Sequence, residues 1–491
     1  MPGRFALVLA LLLAGCASAP DATPTPDDAA AARYHRSCDL ARGNASWTET
    51  CLALASPNDS PSKTEIDLAV NPTDPRNVVV SSKDVDPKAS KCVWAVPQVS
   101  KDGGATWTTS YIGGEMASRQ PTEPLFGWQC ITDPIMAFDA DGTLYYSLQA
   151  YDHTVEGSDV PTVPGVPNPV GTVGSAIFAA RSTDGGLTWD KIVTLHLGDG
   201  ANVFHDYMRV LVNPKTGTYH TIWNQFTGQA QASTVVPVLV SWDGESDRAN
   251  APVYIPIPDR PEGVVMAGFA AASDGTLYVL IEDGDDAWFT ASTDDGATFS
   301  APVLVPELHG KRIERQALGD DAFRTTGSYE LVVDNSGGAR DGWLYATISD
   351  CTETCDVFVA RSEDGGATWS NKTRVNDGAH LAGYQWIPRP FVDRLGNLHL
   401  VYLDSSRNVG NDTWIDATWA LSTDGGATWN NTYLTDRSFD GNLGIHQDGF
   451  PFIGDYLGIG GAGDWVYMGF PTTVTGRAEI AVAKVRLPDV A

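Results

Sequence analysis

An octapeptide that recurs five times constrains the fold of this 491-residue chain more than any other feature. In every copy the pattern is S-x-D-x-G-x-T-[WF], and the copies begin at Ser100, Ser182, Ser292, Ser362 and Ser422. The Asp of the pattern can accept backbone N–H bonds across a turn, and the Gly at its fifth position tolerates a positive φ. Its Ser and Thr add side-chain hydrogen bonds, while the final aromatic ring can pack beneath the turn. The repeat therefore predicts five β-hairpin turns of one kind.

These octapeptides resemble the Asp box, or bacterial neuraminidase repeat, of the sialidase-like β-propeller family. The resemblance implies an all-β propeller in which each repeat joins the third and fourth strands of a blade on the outer rim. It also implies that ligands meet the axial face, which is built by the loops that lead into each first strand and by those between the second and third strands. The octapeptides are therefore expected to be structural, and the site residues are expected elsewhere.

A second repeat predicts the number of blades. It consists of a strand that usually ends in Asn or Asp, a turn and another strand. Its reference positions are Asn71, Asp139, Asn213, Ser273, Asp334, Asp393 and Gly460, with spacings of 68, 74, 60, 61, 59 and 67 residues. Intervals of this length suit a four-stranded blade with its loops. The sequence thus predicts seven four-stranded blades, with six as the alternative, and a strand near 45–54 would complete the last blade and leave no exposed edge.

Composition agrees with this architecture and limits the partners. The chain has 49 Gly, 30 Pro and 15 Trp but only 6 Met, which indicates many tight turns and few helices. Its 32 Lys and Arg against 61 Asp and Glu give a net charge of −29. Such a charge repels polyanions, so neither nucleic acid nor an anionic membrane surface is expected as a partner. Extracellular carbohydrate is the expected partner, and the protein is expected to be a monomer.

The N-terminus has the pattern of an export signal. Residues 1–15 are predicted to be a signal peptide, because Arg4 precedes an apolar run, Phe5–Leu13, that is too short to span a bilayer as a helix. The residues Leu13-Ala14-Gly15-Cys16 resemble a bacterial lipobox, which implies cleavage and lipidation at Cys16. We therefore expect a lipidated Cys and flexible tether over 16–37, and a single propeller domain over 38–491. The predicted location is the bacterial cell envelope, at the outer membrane or cell surface, and an ordinary signal peptide with a chance Cys is the alternative.

Six cysteines remain once Cys16 is set aside. An even number in an exported protein predicts disulfides. Nearest-neighbour pairing, one of fifteen connectivities, gives Cys38–Cys51, Cys92–Cys130 and Cys351–Cys355. Zinc binding is the disfavoured alternative, since no His lies at ligand spacing beside a Cys pair.

No cofactor is predicted. Calcium is the weaker alternative, since Asp139-Ala140-Asp141-Gly142 imitates the start of a calcium loop and the acidic segment 282–286 could bind the ion at a rim. The first segment lacks the remaining ligands of such a loop, and a hairpin turn is the preferred interpretation.

Carboxylates, arginines and aromatic residues concentrate in the segments expected on the axial face. The candidate catalytic residues, whose carboxyl groups would transfer protons, are Asp133, Asp206, Glu330 and Asp455. The candidate substrate-binding residues are His205, Arg209, Tyr329, Arg389, Asp404, Arg407 and Tyr456. A Gly- and Pro-rich insertion over 151–174 exceeds ordinary connections and suggests a lid or rim. The alternative for any one of these residues is a role in capping a turn or bonding a neighbouring blade.

The catalytic pattern of sialidases is matched only in part. That family carries an Arg in an F/Y-R-I-P motif on its first blade, whereas the corresponding strand here, Glu65–Val70, has none. Tyr329 and Glu330 could form the family's Tyr/Glu pair, but adjacent strand residues face opposite sides. The leading hypothesis is a surface-anchored, sialidase-like propeller that binds an extracellular glycan and hydrolyses or otherwise processes it. If the protein is an enzyme, the resemblance implies an exo-acting glycoside hydrolase of sialidase-like type. The alternative is a non-catalytic propeller that binds glycan or protein.

Overall fold

The computed structural model describes residues 50–55, 62–85, 93–112, 124–125, 128, 130–151, 174–198, 203–227, 234–257, 265–311, 329–352, 354–411, 413–447 and 450–487. Regular structure in these ranges is almost entirely β. The exceptions are short 3₁₀ helices at Pro306–Leu308, Gly378–His380, Ser406–Asn408 and Gly441–Leu443. None of the helices in these ranges is long and apolar enough to cross a membrane.

Strand β1 (Thr50–Leu54) comes first in the chain but belongs to the last blade. The next strands form four-stranded antiparallel blades, numbered from the axis outward. The first three blades are β2 (Ser62–Val70), β3 (Val78–Val85), β4 (Val93–Ser100) and β5 (Thr108–Thr109); β6 (Cys130–Phe138), β7 (Leu144–Tyr151), β8 (Ser175–Ser182) and β9 (Lys191–Leu197); and β10 (Val203–Val212), β11 (Tyr219–Thr227), β12 (Thr234–Trp242) and β13 (Val253–Tyr254).

Three further blades repeat this order. They are β14 (Val265–Ala271), β15 (Leu277–Asp283), β16 (Asp286–Ser292) and β17 (Val303–Leu304); β18 (Glu330–Val333), β19 (Leu344–Asp350), β20 (Asp356–Ser362) and β21 (Thr373–Arg374); and β22 (Gln385–Val392), β23 (Leu398–Asp404), β24 (Trp414–Ser422) and β25 (Asn430–Tyr433). A short β26 (Phe439–Asp440) also pairs with β24, and a hairpin of β27 (Ile445–Gln447) and β28 (Phe450–Phe452) precedes the last blade.

The seventh blade joins the two ends of the propeller. Its inner strands are β29 (Gly458–Ala462), β30 (Trp465–Thr472) and β31 (Glu479–Arg486). Strand β1 pairs antiparallel with β31 as the outermost strand, with Leu52 opposite Ala483. Each first strand contacts the first strands of its two neighbours, and β29 contacts β2 to close the ring. The prediction of seven four-stranded blades is confirmed, and the six-bladed alternative is wrong.

Apolar side chains pack mainly between neighbouring blades. One cluster joins Ile222 and Leu239 of the third blade to Met266 and Val279 of the fourth. Comparable clusters lie between the first and second blades and between the fifth and sixth. Since each blade buries both of its faces in this way, the polar side chains on the first strands stand out as exceptions that need partners.

The octapeptides form turns between the third and fourth strands of the first, second, fourth, fifth and sixth blades. In the second copy, Asp184 Oδ1 accepts the N–H of Thr188 at 2.9 Å and Oδ2 accepts its hydroxyl at 2.6 Å, while the Gly186 N–H donates to Ser182 Oγ at 2.8 Å. Hydrogen bonds from Thr298 and Ser292 lower the pKa of Asp294, in the third copy, to about 2. These turns lie away from the axis, so the site is built by other residues.

Candidate functional site

Backbone irregularities mark the first strands where they approach the axis. The register with the second strand shifts in five blades, which is the signature of a β-bulge. At four of these bulges a residue other than glycine has a positive φ: Glu65 (53°), Asp133 (55°), Tyr207 (55°) and Ile387 (53°). Such backbone is costly and persists only where the surroundings enforce it, and bulges re-aim side chains. The bulges therefore locate the candidate site at the axis.

A cluster of carboxyl groups surrounds one lysine on the first, second, third and seventh blades. Lys83 of β3 is buried, and its Nζ lies 3.2 Å from Oε2 of Glu65. The carboxyls of Asp133, Asp206 and Asp455 lie near enough to the same ammonium to raise its pKa together with Glu65. Asp455 follows Gly454, where a side chain would meet the backbone N of Glu65 at 2.5 Å, so the seventh blade approaches the first very closely. These four carboxyl groups, Glu65, Asp133, Asp206 and Asp455, form the axial carboxyl cluster.

Members of the axial carboxyl cluster differ in how firmly they hold a proton. Burial alone would raise the pKa of Asp133, but the Lys83 ammonium and hydrogen bonds from Asp206, Thr132 and Glu65 outweigh it and lower that pKa. Removal of water and the charge of Asp133 raise the pKa of Asp206 well above its usual range, although Asp206 keeps a partly exposed surface. Burial also raises the pKa of Glu65, against the opposing charge of Lys83. The arrangement is that of an ionised Asp133 that accepts hydrogen bonds from protonated neighbours.

A second group of charges forms an ion-pair chain across the axis. Glu330 of the fifth blade binds Arg209 of the third blade and Arg389 of the sixth, with Arg389 Nη1 2.8 Å from Glu330 Oε1. Arg389 Nη2 also lies 3.8 Å from Asp67 Oδ1 of the first blade. This axial ion-pair chain of Asp67, Arg389, Glu330 and Arg209 connects four of the seven blades.

Asp67 combines burial with a raised pKa. Its Oδ2 accepts the Met136 N–H at 2.7 Å, which ties the first blade to the second. Burial raises the pKa of Asp67 to about 6, against the opposing effects of Arg389 and of that hydrogen bond. Asp67 therefore changes charge near neutral pH, within the range where a carboxyl can serve as an acid or a base.

Two tyrosines pack around Arg209. Its Nη2 donates to Tyr207 Oη at 2.7 Å, and its Cζ lies 4.3 Å from the Tyr207 ring centre and 5.7 Å from that of Tyr456. Burial raises the pKa of both tyrosines, so both keep their protons near neutral pH. The axial face thus offers carboxyls, guanidinium groups and phenols within one site, a combination suited to a polar ligand.

Four of the predicted binding residues have local partners away from the carboxyl cluster. Tyr329 donates to Leu308 O at 3.1 Å, on the opposite side of the strand from Glu330. His205 Nδ1 lies 3.1 Å from Ser175 Oγ, and burial followed by the neighbouring His196 lowers its pKa to about 3.

The pair Asp404 and Arg407 belongs to the loop region of the sixth blade. Asp404 is fully buried and lies 2.6 Å from His380 Nδ1. Arg407 lies 2.9 Å from Asp416 Oδ1, and its Cζ is 3.7 Å above the Tyr433 ring. Both side chains are thus engaged within their own blade.

Several predictions fall on residues outside the described part of the chain. These are Cys16, Cys38, Cys92 and most of the 151–174 insertion, and the side chain of Cys51 is likewise not described. Cys351 and Cys355 are bonded, with an S–S distance of 2.05 Å, and Cys130 is buried in β6. Across the described ranges, no group of three or more His, Cys, Asp or Glu residues is arranged to hold a metal ion.

Sequence reasoning missed Glu65, Asp67 and Lys83, although a signal for the first two was present. In the second repeat, the axial ion-pair residues share one offset: Asp67, Arg209, Glu330 and Arg389 each lie four residues before the reference position of their blade. The positive-φ residues of the bulges lie six residues before those positions. Aligning the blades on the second repeat and comparing charged residues at equal offsets would have found both sets. Lys83 lies on a second strand, where no such offset pointed to it.

No protein-family profile matches the chain, and a search of curated protein sequences finds no relative. Among solved structures, a Hadza microbial sialidase is 16% identical over 83% of this chain and 76% of its own, with a TM-score of 0.46. An α-L-arabinanase of Penicillium chrysogenum, solved with arabinobiose, is 12% identical over 88% and 95%, with a TM-score of 0.45. An ulvan lyase is 13% identical over 86% and 94%, also with a TM-score of 0.45.

Proposed function

We propose that the axial face binds an extracellular glycan and hydrolyses it, with Asp133 and Asp206 as the proton-transfer pair. One observation carries this proposal: two hydrogen-bonded carboxyls have pKa values shifted in opposite directions, down for Asp133 and up for Asp206. At one pH such a pair holds one ionised and one protonated carboxyl, which is the condition for general acid and base chemistry. Asp206 is half-buried whereas Asp133 is buried, so Asp206 is the member of the pair nearer to solvent.

Glycoside hydrolysis needs a second carboxyl at a distance from the first. The two working carboxyls stand about 5–5.5 Å apart in retaining enzymes and about 6.5–9.5 Å apart in inverting ones. Asp133 and Asp206 are hydrogen-bonded to each other, so they are too close to flank a glycosidic bond and act as one unit. Asp455 and Asp67 are the candidates for the second role, since the charge of Asp455 acts on Glu65 and Lys83 at the axis and the pKa of Asp67 is about 6.

Glu330 is assigned a positioning role in this proposal. Its carboxylate is already engaged in ion pairs with two guanidinium groups, those of Arg209 and Arg389, which fixes their positions at the axis. Arg389 keeps 17% of its side chain exposed, so it can bind a ligand oxygen while it stays paired with Glu330.

The test is a glycan panel assayed for both binding and product release. Asp206→Asn and Asp455→Asn are expected to abolish turnover by removing a transferable proton or a charge, and each is checked for an unchanged melting temperature. Asp184→Asn, in a rim turn, is the matched control and should retain full activity. Full activity in both axial variants would contradict the assignment of Asp206 and Asp455 to catalysis.

A second candidate function is non-catalytic binding of a glycan or protein at the same face. The observation that favours it is the ion-pair chain, in which Arg209 and Arg389 are already paired with Glu330 and link blades as a structural element. This alternative predicts binding in the panel with no product from any glycan. Turnover that tracks the purified protein and disappears in the axial variants would exclude it.

We also propose that the chain is exported and anchored to the cell envelope through lipidated Cys16. The support is the lipobox-like run Leu13-Ala14-Gly15-Cys16 behind a short apolar segment. Cys16→Ser is expected to move the protein from the membrane fraction to the soluble fraction and to abolish labelling with radioactive palmitate. Unchanged fractionation and labelling would contradict the anchor.

A further inference from the structure

The start of β10 carries an exposed aromatic ring beside the axial carboxyl cluster. Phe204 is 41% exposed, whereas its neighbour His205 is fully buried. Phe204 and Asp206 are two residues apart in a regular stretch that pairs with Phe226 and Asn224 of β11, before the bulge. Residues two apart in a strand share one face and stand about 6.6 Å apart, so the Phe204 ring lies next to the Asp206 carboxyl on the same side.

Tyr151 of the second blade holds this ring in place. The centroids of Tyr151 and Phe204 are 5.8 Å apart and the ring planes meet at 74°, an edge-to-face contact. Tyr151 is the register partner of Cys130, three residues before Asp133 on β6. The two aromatic rings therefore lie at one end of the blades that carry Asp133 and Asp206.

We propose that Phe204, supported by Tyr151, is a stacking platform for a pyranose ring of the glycan adjacent to the unit that Asp206 contacts. A pyranose presents a face of C–H groups that packs on an aromatic ring, while its hydroxyls reach neighbouring polar groups. The exposed Phe204 ring offers such a surface on the same strand face as Asp206.

This inference rests on the proposed glycan-binding role of the axial face, and it concerns affinity rather than bond cleavage. Cellohexaose, xylohexaose, mannohexaose and chitohexaose serve as probes, with dissociation constants from calorimetry. For the tightest of them, Phe204→Ala is expected to weaken binding about three- to tenfold, in line with the loss of one aromatic contact. Phe204→Trp keeps a ring at this position and should restore most of the affinity.

The matched control is Tyr254→Ala, which removes an aromatic ring of similar exposure from the outermost strand of the same blade. Its affinity should equal that of the wild type. Unchanged affinity in Phe204→Ala, an equal loss in Tyr254→Ala, or a wild-type protein that binds none of the four probes would each overturn the platform. If binding depends on Phe204 but no glycan is cleaved, the platform stands and hydrolysis is contradicted. If Phe204→Ala cleaves a glycan with the KM of the wild type, hydrolysis stands and the platform is contradicted.

Discussion

Arg209 in the third blade and Glu330 in the fifth form an ion pair past the intervening fourth blade, with Arg209 Nε 3.3 Å from Glu330 Oε2. Small residues make this approach feasible. At Gly268 in the first strand of the fourth blade, an added Cβ would lie 2.7 Å from the Cβ of Leu331. The pair is buried, and Arg389 joins it from the sixth blade. The contribution of this ion pair to the free energy of folding therefore depends on how well each buried charge is matched by its partners, and not on screening by water.

Replacing Glu330 is expected to destabilise the whole ring. Glu330→Gln leaves two buried or half-buried arginines without their shared counter-charge, and we expect a loss of about 3–5 kcal/mol in the free energy of unfolding. Chemical denaturation measures this loss. Glu245→Gln is the matched control, because Glu245 pairs with Arg181 at the surface with 79% of its side chain exposed and should cost less than about 1 kcal/mol. Equal losses of unfolding free energy in the two variants would contradict the stabilising role of the axial ion-pair chain.

Asp67 is expected to make stability depend on pH. Its pKa is raised to about 6 in the folded state from an ordinary value near 3.8, so the folded protein holds this proton more tightly than the unfolded chain does. The resulting stabilisation is complete below about pH 4 and is lost as the pH rises through 6, a change of about 3 kcal/mol.

Asp67→Asn removes that titration while an amide oxygen can still accept the Met136 N–H. The difference in unfolding free energy, wild type minus variant, should therefore fall by about 3 kcal/mol between pH 4 and pH 7. Denaturant titrations across this range measure it. If the unfolding free energies of the wild type and the variant change in parallel between pH 4 and pH 7, Asp67 does not titrate in that range.

Lys83 is expected to control the charge of Asp133. Lys83→Met removes the ammonium that helps to lower the pKa of Asp133, so this pKa should rise. If turnover requires ionised Asp133, the acidic limb of the pH–rate profile moves to higher pH by the same amount, and Lys83→Arg should largely restore it. Carboxyl ¹³C chemical shifts report the same pKa without any substrate. An acidic limb and a chemical-shift titration that do not move would contradict this role.

The rim turns are expected to affect stability alone. Asp184→Ala removes the acceptor for the Leu187 and Thr188 N–H groups and for the Thr188 hydroxyl, which should cost about 1–2 kcal/mol. Glycan affinity and product release should remain at wild-type levels, because the turn lies on the outer rim. A loss of turnover in a folded variant would place function at the rim instead.

The sequence by itself determined the seven-bladed, four-stranded architecture. Each octapeptide turn depends on hydrogen bonds within eight consecutive residues, as between Asp184 and Thr188, so a local pattern is sufficient to predict it. The second repeat recurs at intervals of one blade, and strand β1 followed from the need to complete the last sheet. The sequence also identified Asp133, Asp206, Glu330 and Asp455 as axial carboxyls by their place in each blade.

Only the tertiary structure decided which charged residues meet. Arg209, Glu330 and Arg389 come from three blades and converge because ring closure brings equal offsets to one axis and the bulges re-aim the side chains. Asp404 and Arg407 have the same residue types but find partners within their own blade. Local sequence patterns describe the elements that a segment forms, whereas the pairing of buried charges depends on distances across the whole ring and on which groups lose their water.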